Sequence, residues 1–224
     1  MCHFLSAIVM WDGTVFCCPD VTNSHEFMIM HLGLVDDGTA RMWVRVEFTP
    51  PDDSSQIEDL DQWTLSVDEE TAPPWWEDKV EGVRTTLANK VRGMFIRDEK
   101  SILLGGCWIL LDGSNVKTVV NSNIVQMLGS SQVGGMHGFS QVGKMLDSSQ
   151  VGKMWDYSQV GKMSGSSKVG KMFNCSQVKE MNGSSQVKEM WTYSKVVQMY
   201  GSSKVGRMFN CSQAPREPLK DSRD

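Results

Sequence analysis

The sequence predicts an acidic α+β domain over residues 1–113, an all-β stack of about five two-sided 18-residue coils over 114–213, and a polar tail over 214–224. Three observations carry this. A nine-residue frame, Ser-x-Val-x-x-Met, recurs without a gap from Ser122, its copies alternate in a regular way, and the sign of the charge changes where the frame begins. A period so short and strict belongs to stacked units that bury their faces on one another, not to a globular core.

The amino-terminal elements follow from local chemistry. His3–Met10 and Val15–Cys18 flank Trp11-Asp12-Gly13-Thr14, a hairpin built on Asp-Gly. Asn23 or Ser24 is placed to cap a short helix reaching Leu34. Met42, Val44, Val46 and Phe48 alternate with Trp43, Arg45 and Glu47, the pattern of a half-buried strand, which Pro50-Pro51 ends. Trp76, Val80, Val83, Leu87, Val91 and Met94 keep helical spacing after Pro73-Pro74. Ile102–Leu104 and Cys107–Leu111 read as strands leading into the first coil. This domain is expected to cap the upper edge of the stack, because an open edge invites aggregation. The polar tail leaves the other end uncapped, unless Pro215 and Pro218 block pairing or a second copy stacks there.

Within the repeat, the residue before each serine alternates between Ser130, Ser148, Ser166, Ser184, Ser202 and Phe139, Tyr157, Cys175, Tyr193, Cys211. The residue after each methionine alternates too, with His137, Trp155, Phe173, Trp191 and Phe209 in one set. The true period is therefore eighteen: two strands and two turns per coil. Valine and methionine point inward, methionine suiting a thin, irregular core. Glycine at the third place after serine (Gly134, Gly143, Gly152, Gly161, Gly170, Gly206) is expected at one corner. Gly129, Gly138, Gly165, Gly183 and Gly201, with Asp147, Asp156, Asn174 and Asn210, mark the other bend. A helix is excluded, since glycine twice per nine residues is too costly.

This pattern resembles the parallel β-solenoids, including the nonapeptide β-rolls, over about residues 114–213. The resemblance implies an architecture. The Gly-Gly-x-Gly-x-Asp sequence of calcium rolls and the Thr-x-Thr arrays of ice-binding solenoids are both absent, so no cofactor is expected.

Residues 1–113 hold 8 Lys and Arg against 20 Asp and Glu, a net of −12, whereas 114–213 hold 11 against 4, a net of +7. Such a chain is suited to docking head to tail on a copy of itself, or to meeting a polyanion through one end. No stretch approaches eighteen apolar residues, and Met1–Cys18 lacks a basic start, so neither a membrane span nor a secretion signal is expected. Six cysteines without a C-x-x-C pair point to a reducing, cytoplasmic setting.

The strongest surface signal is Trp155, Phe173, Trp191 and Phe209 recurring beside Lys153, Lys171 and Arg207, with Glu189 interrupting the charge. Three uses stay open for it: rings covered by one another, an interface with a second copy or another protein, or single-stranded nucleic acid. Met-Cys at the start resembles the amino-terminal nucleophile hydrolases and the proteins that capture abasic DNA, which implies Cys2 as nucleophile, His25 or His31 assisting. His25-Glu26 with His31 lacks the spacing of a zinc protease, and no metal is expected. Asp52-Asp53 and Asp68-Glu69-Glu70 read as solvated loops, although an acidic half also suits a phage-type inhibitor that imitates a polyanion. The reading favoured is a structural or interaction protein, a homodimer first, acting by binding.

Overall fold

The structure, a computed structural model, describes residues 5–19, 23–35, 42–215 and 218–219. The chain divides into two compact units, Met1–Gly93 and Met94–Asp224.

The first unit contains β1 (Leu5–Met10), β2 (Val15–Phe16), α1 (His25–Leu32), β3 (Trp43–Thr49), β4 (Thr64–Val67) and α2 (Val80–Arg92). Its strands form one antiparallel sheet in the order β2-β1-β3-β4. The hairpin turns where expected: Asp12 accepts from the Thr14 amide at 2.8 Å and Gly13 takes a φ of 90°. Ser24, not Asn23, caps α1 by accepting from the Phe27 amide at 3.3 Å. Asn23 instead accepts from the Ser6 amide at 2.6 Å. The helix stops at Leu32, two residues short of expectation, because Gly33 enters the left-handed region at φ 65°.

In β3, Val44, Val46 and Phe48 are buried on one face as the alternation predicts. The other face is not solvated, since Ile8, Met28 and Trp43 form a buried cluster under α1. Met42 lies before the strand and is exposed. The stretch after Pro73-Pro74 makes a turn, with Trp76 and Lys79 bonding back, and regular helix begins only at Val80. β4, which the sequence reading does not name, packs beside Trp63, whose indole donates to the Ile57 carbonyl at 3.0 Å.

In the second unit every strand is parallel. The strands are β5 (Phe95–Ile96), β6 (Glu99–Leu104), β7 (Cys107–Leu110), β8 (Asn115–Val120), β9 (Asn123–Met127), β10 (Gln132–His137), β11 (Gln141–Met145), β12 (Gln150–Met154), β13 (Gln159–Met163), β14 (Lys168–Met172), β15 (Gln177–Met181), β16 (Gln186–Met190), β17 (Lys195–Met199) and β18 (Lys204–Met208). Even-numbered strands form one seven-stranded sheet and odd-numbered strands the other. Val133 pairs with Val151 and Met136 with Met154, so the step is eighteen residues, as predicted. This is a two-sided parallel β-solenoid of about six coils over residues 95–208. The stack opens with four strands, β5 to β8, that precede the frame starting at Ser122. Leu110 and Val119 fill the methionine places there, pairing with Met127 and Met136.

The core runs unbroken from Ile96 to Met199. Serine is a third inward residue that the sequence reading leaves out: Ser131, Ser149, Ser158, Ser167 and their equivalents are fully buried. A small side chain lets the turn close tightly against the core, and Ser140 shows a further use, donating to the His137 carbonyl at 2.6 Å.

The glycine after each valine is not at a corner. It lies mid-strand, because valine and methionine three places apart both point inward and leave two residues facing out. The register jumps from Val151↔Val169 to Lys153↔Lys171, skipping Gly152, whose added Cβ would lie 2.5 Å from the Gly134 carbonyl oxygen. Both bends belong instead to the second set of turn residues. Gly129, Gly138 and Gly165, and likewise Asp147, Asp156 and Asn174, have φ between 54° and 65°. Thr192 takes the same conformation at 59°, a strained choice for a β-branched residue.

At the far end Gln213 bridges to Lys195 and Leu219 to Tyr200, so the tail, expected to leave the end bare, partly covers β17. β18 is the last strand of its sheet among the described residues, and Met208 is 43% exposed. Among the described residues, no helix is long and apolar enough to cross a membrane.

Candidate functional site: an aromatic turn edge

The eighteen-residue register puts like residues above like. The first residue of each turn after an even-numbered strand bonds to the methionine carbonyl one coil back: Trp155 to Met136, Phe173 to Met154, Trp191 to Met172 and Phe209 to Met190, each at 2.9 Å. With their backbones fixed in this way, the rings stack. Centroid separations are 6.3 Å for His137–Trp155, 4.0 Å for Trp155–Phe173, 6.4 Å for Phe173–Trp191 and 3.9 Å for Trp191–Phe209. Planes lie within 18° of one another. The even spacing of about 4.8 Å expected from the strands is thus replaced by close pairs, each tryptophan lying nearest the phenylalanine one coil on. All these rings are half-buried.

A second row lies two residues further round each turn. Phe139, Tyr157 and Tyr193 are 69%, 55% and 66% exposed, and Cys175 and Cys211 occupy the matching places, exposed and free. Phe139 and Tyr157 stack at 5.4 Å. The opposite turn edge carries Ser130, Ser148, Ser166, Ser184 and Ser202 at these places. One edge of the solenoid is therefore aromatic in two tiers, whereas the other carries serine in its outer tier and Leu128, Leu146, Ser164, Asn182 and Tyr200 in its inner one.

The flanking charges are organised differently from expectation. Glu189 does not merely interrupt a basic stripe. Its carboxylate accepts from Lys171 Nζ at 3.1 Å and from the Trp191 indole at 3.3 Å, and it pairs with Arg207. The Lys171 ammonium chiefly, with the Trp191 N–H and the Arg207 charge, holds its pKa below the ordinary glutamate value. On the other sheet Lys162 and Glu180 pair at 3.0 Å. Lys153 faces outward, exposed.

Of the residues singled out from sequence, the four rings come together in one ladder and Lys171 and Arg207 converge on Glu189. Phe139, Tyr157 and Tyr193 were missed as site residues, although the alternation before serine displays them. Cys2 lies outside the described residues. His31 is exposed and stacked on Phe27 at 5.9 Å, while His25 is buried. Asp53 caps a short turn, the Ser55 amide lowering its pKa. Asp68 is not simply solvated, lying 3.2 Å from His25 Nδ1.

Comparison with protein-family models, curated proteins and solved structures gives no match. The edge presents a ladder of stacked, half-buried rings backed by parallel strands.

Proposed function

We propose that this is an interaction protein that pairs with a second copy of itself through the aromatic turn edge. The observation that carries the reading is the order of residues along that edge. The inner tier runs Trp155, Phe173, Trp191 and the outer tier Tyr157, Cys175, Tyr193, so both are symmetric about the same coil. Two copies meeting edge to edge with opposite direction bring Phe173 to Phe173, Cys175 to Cys175, Trp155 to Trp191 and Tyr157 to Tyr193. That is a closed two-fold contact in which one patch serves both partners. Tyrosine and tryptophan are the side chains on which interface energy concentrates, commonly about 2 kcal/mol or more each.

A protein partner is favoured over nucleic acid because Lys171 and Arg207 are already engaged with Glu189. Unpaired thiols at Cys175 and Cys211 agree with a cytoplasmic setting. Light scattering over a concentration series tests the proposal. The wild type is expected at twice the chain mass, and the triple variant Phe139→Ser, Tyr157→Ser, Tyr193→Ser at the chain mass. Within one chain these side chains face solvent, so the variant should keep the wild-type circular dichroism spectrum and lose only the stability that pairing contributes. A wild type that stays monomeric throughout would remove the self-pairing.

A further inference from the structure

We infer that the first unit holds a divalent transition-metal ion between His25, Glu47 and Asp68. Three different elements bring these residues together: His25 opens α1, Glu47 lies in β3, and Asp68 follows β4 directly. One ligand atom from each lies within 4.8 Å of the others. None of the three pairs is close in sequence, so the cluster is a product of the fold and not of a local acidic run.

The arrangement of acceptors calls for positive charge between Nδ1 and the two carboxylates. His25 is 1% exposed, and its Nε2 lies 3.0 Å from the Val46 carbonyl oxygen. A carbonyl only accepts, so Nε2 carries the ring proton. Nδ1 faces Asp68 Oδ2, which is 3.2 Å away and also only accepts when ionised, so a second ring proton or a cation must lie between them. A Glu47 carboxylate oxygen lies within 4.8 Å of both of these atoms. A proton on Nδ1 satisfies one of these contacts, whereas a metal ion satisfies all three.

Two further features fit. A nitrogen–oxygen separation of 3.2 Å is the edge expected between two ligands that each lie about 2.0–2.2 Å from one ion. An outer N–H given to a backbone carbonyl is the arrangement that orients a ligating histidine. One neutral imidazole with two carboxylates suits zinc, manganese, iron or cobalt, the imidazole weighing against calcium and magnesium. The Asp68 side chain is 56% exposed, so the remaining coordination positions open to solvent. Glu69 serves another purpose, accepting from the Arg45 amide at 3.3 Å. The ion would tie α1, β3 and β4 together.

The probe is cobalt(II), added to the full chain after dialysis against a chelator and followed by absorbance. The expected result is saturable binding of a single equivalent, with visible d–d bands and no thiolate-to-cobalt charge-transfer band in the near ultraviolet. That absence separates this site from chance binding at Cys17, Cys18, Cys175 or Cys211. The near-isosteric pair Glu47→Gln with Asp68→Asn should weaken binding by about 100-fold or more. Asp68→Asn alone, on a half-exposed side chain, should weaken it by about 10-fold while the metal-free melting curve stays as in the wild type. No saturable binding by the wild type, a thiolate band, or undiminished binding by Asp68→Asn would each overturn the site.

Discussion

Replacing Met163 by Asp is expected to unfold the solenoid. Met163 is fully buried and stacks in register between Met145 and Met181, in the column that fills the odd-numbered sheet's side of the core. A column of thioethers offers no charged partner, so a carboxylate there costs several kcal/mol whether it stays charged or takes up a proton. Domains of this kind are stable by only about 5–15 kcal/mol in total, and each coil depends on its neighbours. Met163→Ala should cost about 2–5 kcal/mol, and Met163→Leu less than about 1.5 kcal/mol. Far-ultraviolet circular dichroism with temperature distinguishes the three. A Met163→Asp protein that melts near the wild type would show that the column is not a dry core.

Removing Ser149–Ser166 should leave a folded, shorter stack, whereas removing only Ser149–Tyr157 should be worse. The eighteen-residue deletion joins Ser148 to Ser167, sets Val169 on Val133 and Met172 on Met136, and lands Phe173 on His137. Every contact type is kept. The nine-residue deletion also keeps valine and methionine inward, but it moves the chain beyond it to the opposite sheet. Phe173, Trp191 and Phe209 then fall on the edge of Leu146, leaving His137 without an aromatic partner. Of the two, the shorter deletion is expected to melt lower. If it melts higher, the two-sided coil with one aromatic edge is not what stabilises the stack.

How far the fold could be read in advance depended on whether identical residues had to meet. The valine and methionine columns and the inner ring ladder were legible because an eighteen-residue step leaves like residues no other neighbour. In the opening stretch Phe95–Leu110, Ile102–Leu104 and Cys107–Leu111 were legible as strands but not as part of the stack, because there the inward places need only be apolar. Buried serine was missed because a hydroxyl reads as surface, although in a tight turn its small volume is what counts. Mid-strand glycine was misplaced because sequence spacing cannot tell a kink inside a strand from a bend between strands. In the first unit, His25 and Asp68 meet only through the pairing of β3 with β4, and β4 is too short to be recognised by its pattern. The outer tier was visible as an alternation and served only to fix the period.

Self-pairing through the aromatic edge is tested most directly at Cys175, which lies at the centre of the outer tier and is exposed and free. A disulfide needs Cα atoms within about 7 Å, so mild oxidation reports which thiols face each other. The two-fold arrangement predicts covalent dimers linked Cys175 to Cys175, lost in the Phe139→Ser, Tyr157→Ser, Tyr193→Ser variant. It also predicts no link from Cys211 to Cys211, because Cys211 faces Phe139 across the contact. Oxidation that yields no dimer, or links the two cysteines at equal rates, would contradict the proposal.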